Sequence, residues 1–283
     1  MIVGCQNARG TVRSCLAALN AQTTAAEIIV VDGSSDGTAE IVAAEFPQIH
    51  LLRCDSRLFV PHLWKAGLDQ ASGQIIAFTI AQCIPGPDWV TRIEAAFEAD
   101  IAGVGGPLDA PVDGSAMDWA YYFVRYNAFL PPGKQGIVAD IAGDNAAYLR
   151  DALNLATEEM RGGFWETLVH VRLRANGKQL LLSPAVTIRL SEGCGNMAAV
   201  RTRFWHGRHY GSTRPGITLT RRVAGLLASP LIAVLLLSRI WGRVSQRRPE
   251  WRPQFWRALP FLLVFVGAWT LGEASGYLRP QLI

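Results

Sequence analysis

The sequence predicts an α/β domain with a mainly parallel central sheet flanked by helices, followed by a C-terminal hydrophobic helical hairpin. Two observations predict the domain: short apolar runs alternate with helical-period segments, and the runs end in Gly- or Asp-rich turns. The hairpin is predicted by a third, the loss of charge from two long stretches after residue 222. Residues 1–5 read as a buried strand ending in the polar pair Gln6-Asn7, and Val12, Cys15, Leu16 and Leu19 then recur at helical spacing. Residues 27–31 are a β-branched strand stopped by Asp32-Gly33-Ser34-Ser35-Asp36-Gly37-Thr38, and a helix follows through about residue 45. Residues 49–52 give the next strand. Pro61 begins a helix whose face is Leu63, Trp64, Gly67, Leu68 and Ala71, and residues 74–78 form a fourth strand. Asp88-Trp89 opens another helix, and residues 102–104 are expected to form a fifth strand. Residues 114–127, 145–153 and 164–176 read as helices, and 179–182 and 185–190 as short strands. Crossover units of this kind build a mainly parallel sheet, with ligands beyond the carboxyl ends of its strands.

Half of the 283 residues are hydrophobic and 18% are charged, which excludes a disordered chain. The net charge of +4 is concentrated: residues 201–222 carry six arginines and no acid, and residues 239–257 carry six more against Glu250 alone. Such clusters beside apolar segments suit an anionic membrane surface. No recognition helix, zinc finger or RNA-binding repeat accompanies them, so nucleic acid is not an expected partner. Five scattered cysteines without metal-ligand spacing read as reduced thiols in a cytosolic domain, and no signal peptide is expected. The uncharged stretches 223–238 and 258–272 are 16 and 15 residues long, short of the roughly 20 that span a bilayer. Two full spans would also carry a basic linker across the membrane. A peripheral or partly inserted hairpin is therefore favoured. The expected organisation is a catalytic-type domain over residues 1–198, a basic linker over 199–222 and a membrane-associated hairpin and tail over 223–283.

The segment Glu27–Thr38, EIIVVDGSSDGT, carries the most chemistry. At a strand end, Asp32 can accept hydrogen bonds from a base or ribose, while Asp36 is either a second ligand contact or a helix cap. The glycine fingerprint of dinucleotide folds and the phosphate loop are both missing, which ranks an NAD-type oxidoreductase last.

Gln6-Asn7 and Asp32–Thr38 together resemble the family 2 glycosyltransferases, whose nucleotide-sugar-binding domain has such motifs after its first two strands. Ala71-Ser72-Gly73 with the following strand is similar to that family's Ala-x-Gly segment. Gly143-Asp144-Asn145-Ala146-Ala147-Tyr148 with Arg150 is similar to its acceptor-side segment. The resemblance covers roughly residues 1–190. It implies an inverting transfer of a single sugar from a nucleotide-diphosphate donor to an acceptor hydroxyl, saccharide or lipid-linked. Asn7, Asp32, Asp36 and Gln82 would lie on the nucleotide-sugar side, and Asn145, Trp165 and His170 on the acceptor side. Glu166 falls on the second acid of the family's Glu-Asp pair and is the expected general base. The enzyme would sit at a bacterial-type inner membrane with its catalytic domain facing the cytoplasm.

One departure follows the fourth strand. The family's Asp-x-Asp holds Mg²⁺ or Mn²⁺ against the donor diphosphate, whereas this chain has Ile80-Ala81-Gln82. Ile80 cannot ligate a hard cation and Gln82 offers one neutral oxygen. Either the metal is held through the phosphates and another acid, or cations such as Arg57, Lys65, Arg201 and Arg203 replace it. The third alternative is lost chemistry, which would leave a glycosyltransferase-like binding or scaffold protein at the membrane.

Overall fold

The computed structural model describes residues 1–54, 58–212 and 218–278. It divides into two compact units, residues 1–109 with 131–191 and residues 110–130 with 192–283. The division differs from the boundary expected at residue 198: it falls after Ser191, and residues 110–130 join the C-terminal helices.

The first unit alternates strand and helix from its start: β1 (Ile2–Cys5), α1 (Val12–Asn20), β2 (Ile29–Asp32), α2 (Thr38–Glu45), β3 (His50–Arg53), α3 (Val60–Gln70) and β4 (Ile75–Ile80). It continues through β5 (Cys83–Pro85), α4 (Trp89–Ala96), β6 (Ile101–Gly105) and β7 (Leu108–Asp109). After α5 (Ala116–Tyr126), which belongs to the second unit, it resumes with β8 (Gly136–Val138), β9 (Asn145–Leu149), α6 (Arg150–Asn154), α7 (Glu166–Ala175), β10 (Gln179–Leu182) and β11 (Ile188–Leu190). Eight strands form one sheet in the order β3-β2-β1-β4-β9-β6-β10-β8, and β5-β11-β7 form a small second sheet.

The sheet is parallel on the β3-β2-β1-β4 side and mixed beyond it, because β9 runs antiparallel to both β4 and β6. Residues 145–153, expected to be helical, are therefore a strand followed by a single helical turn. Asn-Ala-Ala-Tyr carries a helix-favouring composition, but its position between two strands buries all four residues, and tertiary pairing overrides the weak local preference.

Behind the sheet, α3 lies so close to β1 that a Cβ on Gly67 would fall 2.4 Å from Ile2 Cγ2. The same helix sends Trp64 beneath β4, where its Nε1 donates to the Thr79 carbonyl at 2.9 Å. Trp64, Phe78, Tyr148 and Phe164 form one aromatic cluster, with the Phe78 and Phe164 ring centroids 4.2 Å apart.

The second unit is helical: α5, α8 (Met197–Ser212), α9 (Leu219–Arg247) and α10 (Arg252–Leu278). Ser115 and Asp118 close a capping box at the start of α5, and Asp118 also accepts the Gly195 amide at 2.7 Å. Helices α8 and α10 touch backbone to backbone. A Cβ on Gly207 or Gly211 would lie 2.3 Å from a backbone oxygen of α10, and one on Gly272 or Gly276 within 2.3 Å of a backbone oxygen of α8. Small residues four apart on both helices are what permits that approach. Trp119, Tyr122 and Phe123 of α5 pack on Trp251 and Phe255. With the turn before it, α10 (Pro249–Leu278) is long and apolar enough to cross a membrane.

Candidate functional site

The registers Cys5↔Asp32 and Gly4↔Ile80 bring the carboxyl ends of β1, β2 and β4 level, and Thr79↔Asn145 brings in the start of β9. The loops after β1 and β2 are locked together there. Asn7 adopts a left-handed backbone (φ 51°), which Asn tolerates better than most residues. Its amide donates to Ser34 Oγ at 2.8 Å, Ser34 Oγ donates to Asp32 Oδ1 at 2.6 Å, and Asn7 Oδ1 accepts the Ser35 amide at 3.1 Å. Asp32 is 3% exposed at the end of β2. Burial raises its pKa, against the downward pull of Ser34 and with a further push from Asp36 and Glu40.

Asp36 organises the loop. Its Oδ1 accepts the Thr38 amide and hydroxyl at 3.1 and 2.5 Å, and its Oδ2 accepts the Arg9 amide at 3.0 Å. Its pKa is lowered: burial, the largest single influence, opposes the shift, but the bonds from Thr38 and Arg9 outweigh it. Asp36 thus ties the first residue of α2 to the loop, while the N-cap itself is Gly37, left-handed at φ 88°.

At the end of β4, Ile80 is 2% exposed and Ala81 fully buried, while Gln82 is half-buried, with its carbonyl accepting the Ser191 amide at 2.8 Å. Among the described residues no group of three or more His, Cys, Asp and Glu side chains is arranged to hold a metal ion. The residues at this strand end do not fit a protein-held Mg²⁺ or Mn²⁺. Of the cations considered as substitutes, Lys65 is paired with Asp69 at 2.6 Å, Arg201 and Arg203 lie in the second unit, and Arg57 is outside the described residues.

Glu166 opens α7, next to the site. A Cβ on Gly143 would lie 3.3 Å from the Glu166 carboxyl carbon, so this carboxyl abuts the backbone that enters β9. The Trp165 ring is edge-on to Phe59 and His62, and its Nε1 donates to the Gly162 carbonyl at 3.0 Å.

Two residues expected on the acceptor side are buried and bonded within the protein. Asn145 is fully buried: its Nδ2 donates to the carbonyls of Pro107 and Val186 at 3.0 and 2.7 Å, and its Oδ1 accepts Trp89 Nε1 at 2.9 Å. It ties the start of α4 to the segments at Pro107 and Val186. His170 is also fully buried, with Nε2 2.7 Å from the Tyr148 hydroxyl and Nδ1 3.0 Å from Asp140 Oδ1. Burial pushes the Tyr148 phenol well up, and the His170 bond holds the Asp140 carboxyl down.

Arg150 donates to the carbonyls of Gly73 and Ala71 at 2.8 and 2.7 Å, which joins two motifs lying 77 and 79 residues apart in sequence. Sequence reasoning passed over Asp144, a 5% exposed acid at the start of β9, beside the end of β4. Its only signal was its place inside the Gly143–Tyr148 segment.

The family model for Glycosyl transferase family 2 matches residues 1–155. The chain belongs to this family. Glycosyltransferase AglE of Haloferax volcanii is 28% identical over 139 residues, which is 46% of this chain and 44% of AglE, so the match spans less than half of that relative. Two solved structures share the fold. The mannosyltransferase PcManGT from Pyrobaculum calidifontis, in complex with GDP-Man and Mn²⁺, has a TM-score of 0.55 at 16% identity over 96% of this chain and 86% of its own. TarS of S. aureus has a TM-score of 0.50 at 12% identity over 94% of this chain and 54% of its own.

Proposed function

We propose that this chain transfers a single sugar, with inversion, from a nucleotide-diphosphate donor to an acceptor hydroxyl on a saccharide or a lipid-linked substrate. Asp32, Asn7 and Gln82 contact the donor, and Glu166 takes the proton from the attacking hydroxyl. The observation that carries the reading is the presence of two separated carboxylates along one rim of the sheet, Asp32 at the end of β2 and Glu166 against the residues entering β9. Strands β2, β1, β4 and β9 are successive neighbours, so the two rim positions are three strand spacings apart, roughly 14 Å. That span suits a base or ribose at one end and an anomeric carbon at the other. Trp165 offers an aromatic face to a sugar there. Asp36 supports the site by shaping the Asn7–Ser35 loop pair rather than by touching the donor.

The enzyme works at a membrane, with α10 as its apolar anchor and the catalytic unit on the cytoplasmic side of a bacterial-type inner membrane. The apolar character of α10 and the arginines before it support this. Cell-envelope polysaccharide or glycolipid is the corresponding product class.

A second reading, a non-catalytic binding protein, draws on Ile80-Ala81-Gln82, which places no carboxylate on β4's own end. Calorimetric titration with UDP, UDP-glucose and GDP-mannose, each with and without Mn²⁺, separates the two when joined to turnover of Glu166→Gln. The transferase reading expects metal-independent donor binding, and loss of about 10²–10⁴-fold in turnover with donor affinity kept in Glu166→Gln. A chain that binds none of the donors, or whose turnover ignores Glu166, is not the enzyme described here.

A further inference from the structure

The helical unit contains a cationic cavity that the transfer chemistry does not use. It has a volume of about 100 Å³ and is lined by Val124, Asn127, Arg203, Leu236, Arg239, Ile240 and Arg243. Arg239 and Arg243 are four residues apart on α9 and share one face, and Arg203 enters from α8. Among the described residues no carboxylate pairs with any of the three. Arg243 donates to Asn127 Oδ1, a neutral acceptor, and the neighbouring Arg247 donates to the Ala128 carbonyl at 2.9 Å. Arg203 Nε is buried without a hydrogen-bond partner, and the guanidinium carbon stands 4.5 Å from the centroid of Trp269. Burial first, and Arg125 second, push the Arg203 pKa down to about 10. Three cations sharing one cavity repel one another, and a buried guanidinium N–H without an acceptor is costly. An anion would answer both.

We propose that this cavity binds a phosphate group through Arg203, Arg239 and Arg243. The planar arginine fork matches phosphate oxygens two at a time. The volume is well below the roughly 300–1,000 Å³ of a pocket that encloses a drug-sized ligand, so only a headgroup-sized anion enters. The surroundings favour a lipid as its source. Leu231, Val234 and Leu235, one to two turns before Arg239 on the same helix, are 66%, 64% and 53% exposed and form an apolar strip where an acyl chain can lie. This site shares with the proposed function only the membrane association, and it stands if the sugar chemistry is different.

The test uses the full chain and two paired variants. Arg239→Gln/Arg243→Gln empties the cavity of two cations. Arg252→Gln/Arg257→Gln removes the same charge from positions outside it. Flotation with phosphatidylcholine vesicles, with and without phosphatidylglycerol, is run beside thermal shift with inorganic phosphate and pyrophosphate. The cavity variant should lose phosphatidylglycerol-dependent binding by on the order of tenfold more than its control. A Lys/Lys variant at 239 and 243, which keeps the charge and loses the fork, should fall between them. A thermal shift by phosphate that vanishes in the cavity variant, without a lipid effect, assigns the same site to a free phosphate. Equal behaviour of the cavity and control variants in both arms, or full binding by the Lys/Lys variant, overturns the proposal.

Discussion

Asp32→Asn should separate binding from folding. In the free protein the Asp32 carboxyl is almost wholly buried, and its pKa is raised, burial being the largest cause. A carboxyl whose folded pKa exceeds its unfolded value binds its proton more tightly in the native state. Its favourable contribution is complete below the unfolded value near 3.8 and declines as pH rises through the folded pKa. At pH 7 the ionised Asp32 therefore works against folding. Asn keeps an oxygen for Ser34 Oγ, which donates at 2.6 Å in the native protein, and removes the charge. The urea midpoint at pH 7 should be unchanged or higher. Nucleotide binding should move the other way. Ser34, through its hydroxyl and its backbone amide, occupies two of the roughly four acceptor positions of the carboxylate, leaving the others for ligand N–H or O–H groups. A hydrogen bond to a charged acceptor contributes about 1.5–3 kcal/mol, equivalent to roughly 10–150-fold in Kd. Calorimetry with whichever nucleoside diphosphate binds the native chain gives the affinity, and urea unfolding of the same preparation gives the stability. An unchanged Kd would remove Asp32 from the donor site. Parallel losses of affinity and stability would make it a structural residue, and the reasoning from burial would fail.

Asn145→Ala should show the opposite profile. It strands the Trp89 indole N–H and the carbonyls of Pro107 and Val186, for a loss of about 3–5 kcal/mol in urea unfolding after partial relaxation. A loss under about 1 kcal/mol would mean that the three groups find other partners. Asp140→Asn tests the His170 network through pH. The native Asp140 pKa is lowered, chiefly by His170, so its stabilisation is present above the unfolded value of 3.8 and disappears as pH falls through the lower folded value. Thermal melts from pH 6 to 2 should therefore steepen less in the variant, and identical acid limbs would contradict the pairing. Gly276→Val places side-chain atoms where a Cβ already sits 2.3 Å from the Arg208 carbonyl, and overpacking of this kind costs about 1–3 kcal/mol or more. Melting in detergent should fall for this variant and hold for Gly267→Ala, where a Cβ meets nothing within 4 Å.

The parallel half of the sheet was legible because its elements obey local rules. β-branched runs such as Ile29–Val31 end at turn residues, and Gly37 makes the turn while Asp36 holds the first amide of α2, as their types suggest. Residues 145–149 were not legible, since their pairing with β4 and β6 depends on partners some 40 to 75 positions away. The burial of Asn145 and His170 was not legible, because a sequence records polarity and not exposure. Their partners, Trp89, Val186, Tyr148 and Asp140, lie 22 to 56 residues away. The boundary between units was hidden for the same reason. Trp119 and Phe123 pack on Trp251 and Phe255, more than 130 residues later, and no composition change marks α5 as part of a helical unit.

The neutral end of β4 is easier to reconcile with donor binding than the loss of a metal motif first suggests. An Asp-x-Asp pair contributes two negative charges and its divalent ion two positive ones, so the occupied motif is close to neutral as a set. Ile80, Ala81 and Gln82 are neutral without any ion. A diphosphate approaching this rim meets no bare carboxylate pair, whose repulsion at 4 Å would be about 4 kcal/mol per charge pair at an effective dielectric near 20. What the substitution removes is the cation's pull on the leaving diphosphate, an interaction that strengthens as negative charge develops in the transition state. Binding and catalysis therefore part company at Ile80 and Gln82. Donor affinity can survive through Asp32 and the Asn7 loop, while the barrier to transfer rises unless other groups stabilise the departing charge.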